Sequence, residues 1–321
     1  PRRLALSLPL LAAPALARAQ SPAPLAYPTR PIRVIVPFAA GGAADSATRA
    51  ITPRMGDRLG QPLVVENRTG AGGSLGGGEV ARSAPDGQTL LMDASSHLVN
   101  PSLLRGLTFD YATAFAPITL AVTFPQVLAV KADLPARTLP EFIALARGQP
   151  LNIGTQGNAT AGHLGLVQFG LAAGIELTHV PYRGGADAAR DLAAGTLDGC
   201  FITMLSAGPI VDSGRARFIA VSAPQRVPLR PEIPTFAELG TPGIEISEWA
   251  SLFAPAGTPE PILARLQAAV AETLAEEPVK ARLAQLAAVP VGSSPEEFSR
   301  YVREGRAAMA ELVRTANIRV E

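Results

Sequence analysis

The sequence predicts an α/β protein of two lobes, each a mostly parallel sheet flanked by helices. Three observations carry that prediction. Short apolar runs alternate with helical stretches along most of the 321 residues, the pattern of stacked α/β layers. The length exceeds what one hydrophobic core usually serves, so the chain divides. Two Gly-bearing turns, the second rich in hydroxyls, each follow a buried strand and open a helix, the place where open α/β sheets take ligands.

The elements follow in order. Ile32–Val36 reads as a strand, Ala44–Leu59 as a helix, Leu63–Val65 as a strand, Ser74–Arg82 as a short helix and Thr89–Met92 as a strand. The run Pro117–Val130 is long, apolar and β-leaning. Leu139–Arg147 is a helix, Asn152–Gly154 a strand, Ala161–Ala172 a helix and Leu177–Val180 a strand. Ala186–Ala194, Asp198–Ile202, Ala207–Ser213 and Phe218–Ser222 continue the alternation. The last part turns helical, over Pro259–Ala275, Pro278–Ala287 and Ser294–Thr315. Ser294-Pro295-Glu296-Glu297 is a helix start, with an N-cap Ser, Pro at the first helical position and acids in the first turn. Pro117–Val130 and Glu248–Gly257 read as crossings between lobes, which assigns 28–124 with 250–321 to lobe one and 125–249 to lobe two. The proline-rich stretch Pro224–Pro242 is expected to wrap the surface of lobe two.

Residues 1–19 read as a secretory signal: Arg2-Arg3, a short apolar core from Leu4 to Ala13, and Ala17-Arg18-Ala19 before the cleavage point. The apolar core is shorter than a membrane span of about 20 residues. The arginine pair fits a twin-arginine export route as well as the general one. Without Arg2, Arg3 and Arg18 the 28 basic side chains fall to 25 against 27 acidic ones. That balance of −2 offers nothing to nucleic acid or an anionic membrane surface. Cys200 is the only cysteine, so neither an internal disulfide nor a Cys metal cluster is expected. It lies in the apolar run Leu197–Ile202 and reads as a packed core residue.

The two turns are the candidate site. One runs from Pro37 to Asp45 and includes Phe38, Ala39, Gly41 and Gly42; the other runs from Gly154 to His163 and includes Thr155, Gly157, Asn158 and Thr160. Such turns present free backbone N–H groups and a positive helix end, a site for a small anion. Neither contains Lys or Arg, so a carboxylate there is held by neutral donors. Asp45 reads either as a ligand contact or as a cap of the following helix. Thr160 has the same two readings, and His163 either faces the cleft or packs beneath it. Tyr182 with Gly184-Gly185 precedes a further helix and is a candidate lining group. Trp249 is read as a core or hinge residue, or as a surface for ligand stacking, and Arg183 as a solvated or structural charge.

The chain resembles the Bug family, the tripartite tricarboxylate transporter receptors, which are periplasmic solute-binding proteins. The likeness rests on Tyr27-Pro28-Thr29-Arg30-Pro31-Ile32-Arg33-Val34-Ile35-Val36-Pro37-Phe38, on Gly41-Gly42 with Asp45, and on Leu63-Val64-Val65-Glu66-Asn67-Arg68-Thr69-Gly70-Ala71-Gly72-Gly73. It continues through Ala84-Pro85-Asp86-Gly87-Gln88-Thr89, Val180-Pro181-Tyr182-Arg183-Gly184 and Leu252-Phe253-Ala254-Pro255-Ala256-Gly257. It covers essentially the whole mature chain. The resemblance implies a periplasmic-binding-protein-like (type II) fold whose lobes are joined by two crossing strands and close on a small organic carboxylate. It implies that Phe38–Asp45 and Thr155–His163 face each other, that amides, hydroxyls and water hold the carboxylate, and that membrane permease subunits receive it. It implies no cofactor, and a monomer suffices for such a role. Many relatives carry Asp-Asn where this chain has Ile202 and Thr203, which places Thr203 among the candidate contacts and argues against an amino-acid ligand. Prolines are frequent in relatives at the positions of Ala39 and Ala40.

Other functions are weaker readings. Gly72-Gly73-Ser74-Leu75-Gly76 matches the G-x-S-x-G pattern of serine hydrolases, but a nucleophile elbow needs its Ser directly after a strand. The Gly70–Gly78 run satisfies neither nucleotide-binding pattern. His97, His163 and His179 show no ligand-like spacing for a metal. A receptor that presents its ligand to a membrane sensor kinase shares every feature above.

Overall fold

The structure is a computed structural model and describes residues 27–316 and Ile318. The segment read as a signal, 1–19, lies outside the described residues.

One sheet half contains β1 (Ile32–Val36), β2 (Leu63–Asn67) and β3 (Thr89–Asp93), in the parallel order β2-β1-β3. Their connections are α1 (Ala43–Leu59), a 3₁₀ turn at Ala71–Gly73 running into α2 (Ser74–Ala81), and, after β3, α3 (Ser96–Leu103). The 17-residue β4 (Phe115–Lys131) then leaves this half. The other half holds α4 (Leu139–Gly148), β5 (Asn152–Thr155), α5 (Ala161–Ala173), β6 (Thr178–Pro181), α6 (Gly185–Ala193), β7 (Gly199–Thr203), α7 (Met204–Asp212) and β8 (Ala216–Ser222). The chain returns along β9 (Ser247–Pro255) to α8 (Glu260–Leu274), α9 (Glu277–Gln285), β10 (Val289–Pro290) and α10 (Pro295–Thr315).

β4 belongs to both halves. From Phe115 to Pro125 it pairs with β9, and from Gln126 to Val130 with β7, while β8 pairs along its other edge. The change of partner falls at Pro125, which has no N–H to give to a ladder. β5, β6 and β7 are mutually parallel, as are β1, β2 and β3. β4, β8, β9 and β10 add antiparallel pairings, so the sheet is mixed beyond the mostly parallel expectation. The reason is connectivity: β4 and β9 carry the chain out and back side by side.

Apolar clusters cover both faces of each half. In the first half Val34, Val36, Leu90 and Leu252 pack under α1 and α8, and Ile35, Trp249, Phe253 and Phe298 form the opposite face. In the second half Val127, Cys200 and Ile202 lie on one face, and Leu128, Phe142, Phe169 and Phe201 on the other. A smaller cluster of Val99, Leu164, Leu312 and Val313 joins α3, α5 and α10.

Several local expectations are met with their chemistry. Ser294 caps α10 with Glu297 in a reciprocal capping box, and Cys200 is buried in β7, its thiol donating to Ala188 O at 3.4 Å. α3 is a helix that the residue pattern does not announce, because Ser96–Leu103 carries His97, Asn100 and Pro101 among its few apolar positions. The Pro224–Pro242 stretch does more than wrap the surface. Ile233 and Phe236 are buried core residues, and Thr235 bridges to Val221. No helix among the described residues is long and apolar enough to cross a membrane.

Candidate ligand cleft

The first turn leaves β1 at its carboxyl end and enters α1. Its backbone is held by Asp45, which is 2% exposed. The carboxylate accepts from Gly41 N at 2.8 Å, from Arg49 Nε at 3.0 Å and from Asn67 Nδ2 at 2.9 Å. The Asn67 amide also donates to Phe38 O at 2.9 Å, which ties the turn to the end of β2. Burial pushes the Asp45 carboxyl up, but Arg49, the Gly41 N–H and Asn67 outweigh it and hold the group below the usual range. Asp45 is therefore committed to shaping the turn. It is the third residue of α1; the N-cap is Gly42, and no side chain caps the helix. The first N–H groups of a helix have no intrahelical partner, so this end is open to an anion. Gly41 sits at φ 80°, a conformation that glycine adopts without strain. Ala39, Gly41 and Gly42 are exposed and Phe38 is half-buried.

The second turn connects β5 to α5 and is knitted from its own side chains. Thr155 Oγ1 lies 2.7 Å from His179 Nε2 and accepts from Gly157 N at 3.3 Å. Thr160 donates to Gly157 O at 2.9 Å and caps α5 by accepting from His163 N. The His163 Nδ1 accepts from Ala159 N at 3.0 Å. The rings of His163 and His179 stack at 3.8 Å and 11°. Burial pushes both imidazoles below their ordinary value, and burial together with its neighbour His163 takes His179 to about 4. Both rings are thus neutral at physiological pH. At Gly162 a Cβ would overlap the Phe201 carbonyl oxygen, so α5 starts pressed against β7. Gln156 Nε2 donates to Gln126 Oε1 at 2.9 Å and fastens the turn to β4 just past Pro125.

The neighbouring strand ends complete this side. Tyr182 N donates to Thr155 O at 3.1 Å, while its phenol reaches Asp191 at 2.8 Å and serves α6. Gly184 is the N-cap of α6 and carries no side-chain cap. Thr203 caps α7 through Ser206 N and pairs with Ser206 Oγ at 3.0 Å. On the first half the loop after β3 is held by Glu248, which accepts from Ser95 N at 2.9 Å and Trp249 N at 3.2 Å. Burial pushes the Glu248 carboxyl up against the pull of these donors. Behind it His97 Nδ1 and Asp93 Oδ2 pair at 2.9 Å, both buried.

The structure therefore gathers the candidates into two groups. Phe38, Ala39, Gly41, Gly42 and Asp45 lie together at the end of β1. Thr155, Gly157, Thr160, His163, Tyr182, Gly184 and Thr203 lie together at the ends of β5, β6 and β7, with Asn158 exposed at the tip. Among the described residues no side-chain hydrogen bond joins the two groups. Trp249 is fully buried in the core of the first half. Ser74 opens α2 seven residues past the end of β2, away from any strand-to-helix elbow. No group of three His, Cys, Asp or Glu among the described residues is placed to hold a metal. Residue types alone missed Arg49, Asn67, Gln126, Gln156, His179, Ser206 and Glu248. The legible signal among them is a polar residue in an apolar strand, Gln126 within β4 and Glu248 at the head of β9.

Within the two turns the chemistry on offer is neutral, while the exposed Arg183 stands beside Gly184. The Arg49 guanidinium is committed to Asp45, both histidines are uncharged, and the helix ends of α1 and α6 supply backbone donors.

Residues 47–318 match the family model described as the tripartite tricarboxylate transporter family receptor. Protein BugT of Bordetella pertussis is 34% identical over 232 residues, covering 71% of each chain. Among solved structures, Rpa4515 of R. palustris, determined with adipate, superimposes with a TM-score of 0.79 at 33% identity, over 91% of this chain and 99% of that one. MatC of Rhodopseudomonas palustris, determined with bound malate, gives a TM-score of 0.74 at 32% identity, over 89% of this chain and all of that one. The protein belongs to the tripartite tricarboxylate transporter receptor family and has the periplasmic-binding-protein fold of its members.

Proposed function

We propose that this protein is a periplasmic receptor that captures a small organic carboxylate between the two sheet halves and delivers it to the membrane subunits of a tripartite-type transporter. The observation that carries the reading is the pair of uncapped helix ends, α1 at Gly42 and α6 at Gly184, on opposite sides of β4 and β9. Each follows the carboxyl end of a parallel strand, and at each the N-cap residue has no side-chain capping bond, which leaves N–H donors for an anion. The adipate and malate found in two solved relatives are carboxylates, which supports the same ligand class here.

The two halves, 28–124 with 250–321 and 125–249, act as lobes that close about Pro125 and the start of β9. Closure brings Phe38, Gly41 and Gly42 toward Thr155, Gly157, Asn158 and Thr160, so that binding and conformation are coupled. Asp45, Thr160 and Thr203 keep the turns in shape, and backbone amides with bridging water make most of the ligand contacts. The protein acts by binding, with no covalent step. The test is thermal unfolding of refolded protein with mono-, di- and tricarboxylic acids, each beside its uncharged amide. Free ligand at about 100 times its dissociation constant adds about 2.7 kcal/mol of stability. A rise in midpoint with one or more acids and none with their amides is expected; equal responses to acid and amide, or none to any acid, overturn the reading.

A further inference from the structure

The backbone amides of the turn between β5 and α5 fall into two sets. Side chains of the turn itself take one set: Gly157 N donates to Thr155 Oγ1 at 3.3 Å, Ala159 N to His163 Nδ1 at 3.0 Å and His163 N to Thr160 Oγ1 at 3.5 Å. The N–H groups of Asn158, Thr160, Ala161 and Gly162 lie between them and have no acceptor among the described residues. These four are the donors that the turn has left for an anion.

The bond to His163 fixes the middle of this stretch. Ala159 sits at φ 56°, where a residue with a side chain is strained and stays only if its surroundings hold it. The Gly157 carbonyl is taken by Thr160 Oγ1 at 2.9 Å, and His163 grips the one amide between the free ones of Asn158 and Thr160. Because Nδ1 accepts there, it carries no proton, and the neutral ring is the Nε2–H tautomer. A proton at Nδ1 sets N–H against N–H. It also places a cation on the face of the His179 ring, 3.8 Å away and 11° from parallel, whose Nε2 meets Thr155 Oγ1 at 2.7 Å.

Nothing nearby offsets that charge. α5, β5 and β6 carry no titratable group besides the two histidines. On the strands packed against α5, Glu248 holds the Ser95 and Trp249 amides, Cys200 donates to Ala188 O and Lys131 pairs with Asp198. On the neighbouring helices His97 pairs with Asp93, Arg147 donates to Ala173 O, Glu304 lies beside Arg303 and Glu311 beside Arg314. Glu176 before β6 and Arg183 after it are exposed. Burial holds both rings below the ordinary imidazole value, so the neutral pair persists into mild acid. The hold on Ala159 is lost as the pH falls through the folded value of His163.

We propose that His163 is a positioning residue of the anion site: through Nδ1 its neutral ring holds the Ala159 amide, which sets the N–H groups of Asn158, Thr160, Ala161 and Gly162 for a carboxylate, and a proton on the ring undoes that arrangement. This rests on the receptor reading above and gives His163 to the turn, not to contact with the ligand.

The test begins on the ligand-free full chain. Imidazole nitrogen NMR at neutral pH should show His163 as the Nε2–H tautomer. Exchange of the Ala159 amide should be roughly three- to tenfold faster in His163→Leu and restored in His163→Asn, whose Oδ1 stands where Nδ1 does. In acid, exchange corrected for its intrinsic pH dependence should rise with the titration of His163 in the native protein and stay flat in His163→Asn. Adipate affinity by calorimetry should fall by a similar factor in His163→Leu and recover in His163→Asn. It should also fall more steeply in acid for the native protein than for His163→Asn, a difference that cancels the titration of adipate itself. A proton on Nδ1 at neutral pH, equal Ala159 exchange in native protein and His163→Leu, or an adipate affinity that follows neither variant nor titration would overturn the proposal. The tautomer and the native pH profile decide the matter if His163→Leu fails to fold. A native protein that binds neither adipate nor malate, with tautomer and exchange as expected, would overturn the receptor reading and the link to a ligand, and not the hold of His163 on the turn.

Discussion

Removing the Asp45 carboxylate should unravel the first turn at a measurable cost. Asp45→Ala leaves three donors without their acceptor: Gly41 N, Asn67 Nδ2 and Arg49 Nε. Hydrogen bonds to a charged group are worth about 1.5–3 kcal/mol each, and the donors that regain water recover much of it. The Arg49 side chain is half exposed and rehydrates, so it counts for little. The Gly41 amide lies on an exposed turn and recovers part of its share; the Asn67 amide keeps its bond to Phe38 O. The expected loss is about 2–3 kcal/mol, or a fall in midpoint of roughly 5 °C for a chain of this size. Urea unfolding of native and variant protein at neutral pH measures it. The sign of the pH dependence is a second check. Because the carboxyl is held below its ordinary value in the fold, its contribution is present above the unfolded pKa of about 4 and disappears as the pH falls through the folded value. The gap between native protein and variant should therefore close in acid. A gap below about 0.5 kcal/mol at pH 7, or one that persists unchanged at pH 2, would refute the assignment of Asp45 as the brace of this turn.

Four further outcomes follow from the same geometry. His179, held near 4, stays neutral in the fold while the unfolded chain takes up a proton below about pH 6.5. Stability should then fall by about 2 kcal/mol between those values, and His179→Gln should flatten that slope in pH-dependent unfolding. Glu248→Gln keeps an acceptor for Ser95 N and should cost under about 1 kcal/mol at neutral pH, whereas Glu248→Ala orphans two backbone donors and should cost about 2 kcal/mol by urea unfolding. Gly162→Ala should lose about 2 kcal/mol or more, read the same way, because its new methyl meets the rigid Phe201 carbonyl. The Cys200 thiol, pushed by burial up to about 12, should react with an aromatic disulfide reagent only as fast as the protein unfolds, and rapid labelling of the native state would contradict its burial.

Much of the fold was legible because its signals are local. β1, β3, β5 and β7 are short apolar runs bounded by turn residues, and the capping box at Ser294 reports its helix within four residues. What was not legible depends on distant partners. α3 is stabilised by packing against α10 and not by its own periodicity, and Phe236 in the proline-rich stretch is recruited to the core by the strand pairing of Val221 with Thr235. The turns of the candidate site announced themselves through glycines and hydroxyls, yet their internal wiring did not. Asn67 reaches Asp45 across 22 residues and His179 reaches Thr155 across 24. Asp45 and Thr160 each carried two readings, and their hydrogen bonds, from Gly41, Arg49 and Asn67 to the first and with Gly157 and His163 at the second, serve the turns.

The central claim is that one carboxylate is held at once by the helix ends of both halves. Hydrogen–deuterium exchange with and without the acid that most raises the unfolding midpoint tests it most directly. The account predicts slowed exchange at the amides of Gly41 to Ala44 and, together with it, at Gly157 to Gly162 and Gly184 to Gly185. Protection confined to one half, or lying wholly outside these turns, would contradict it.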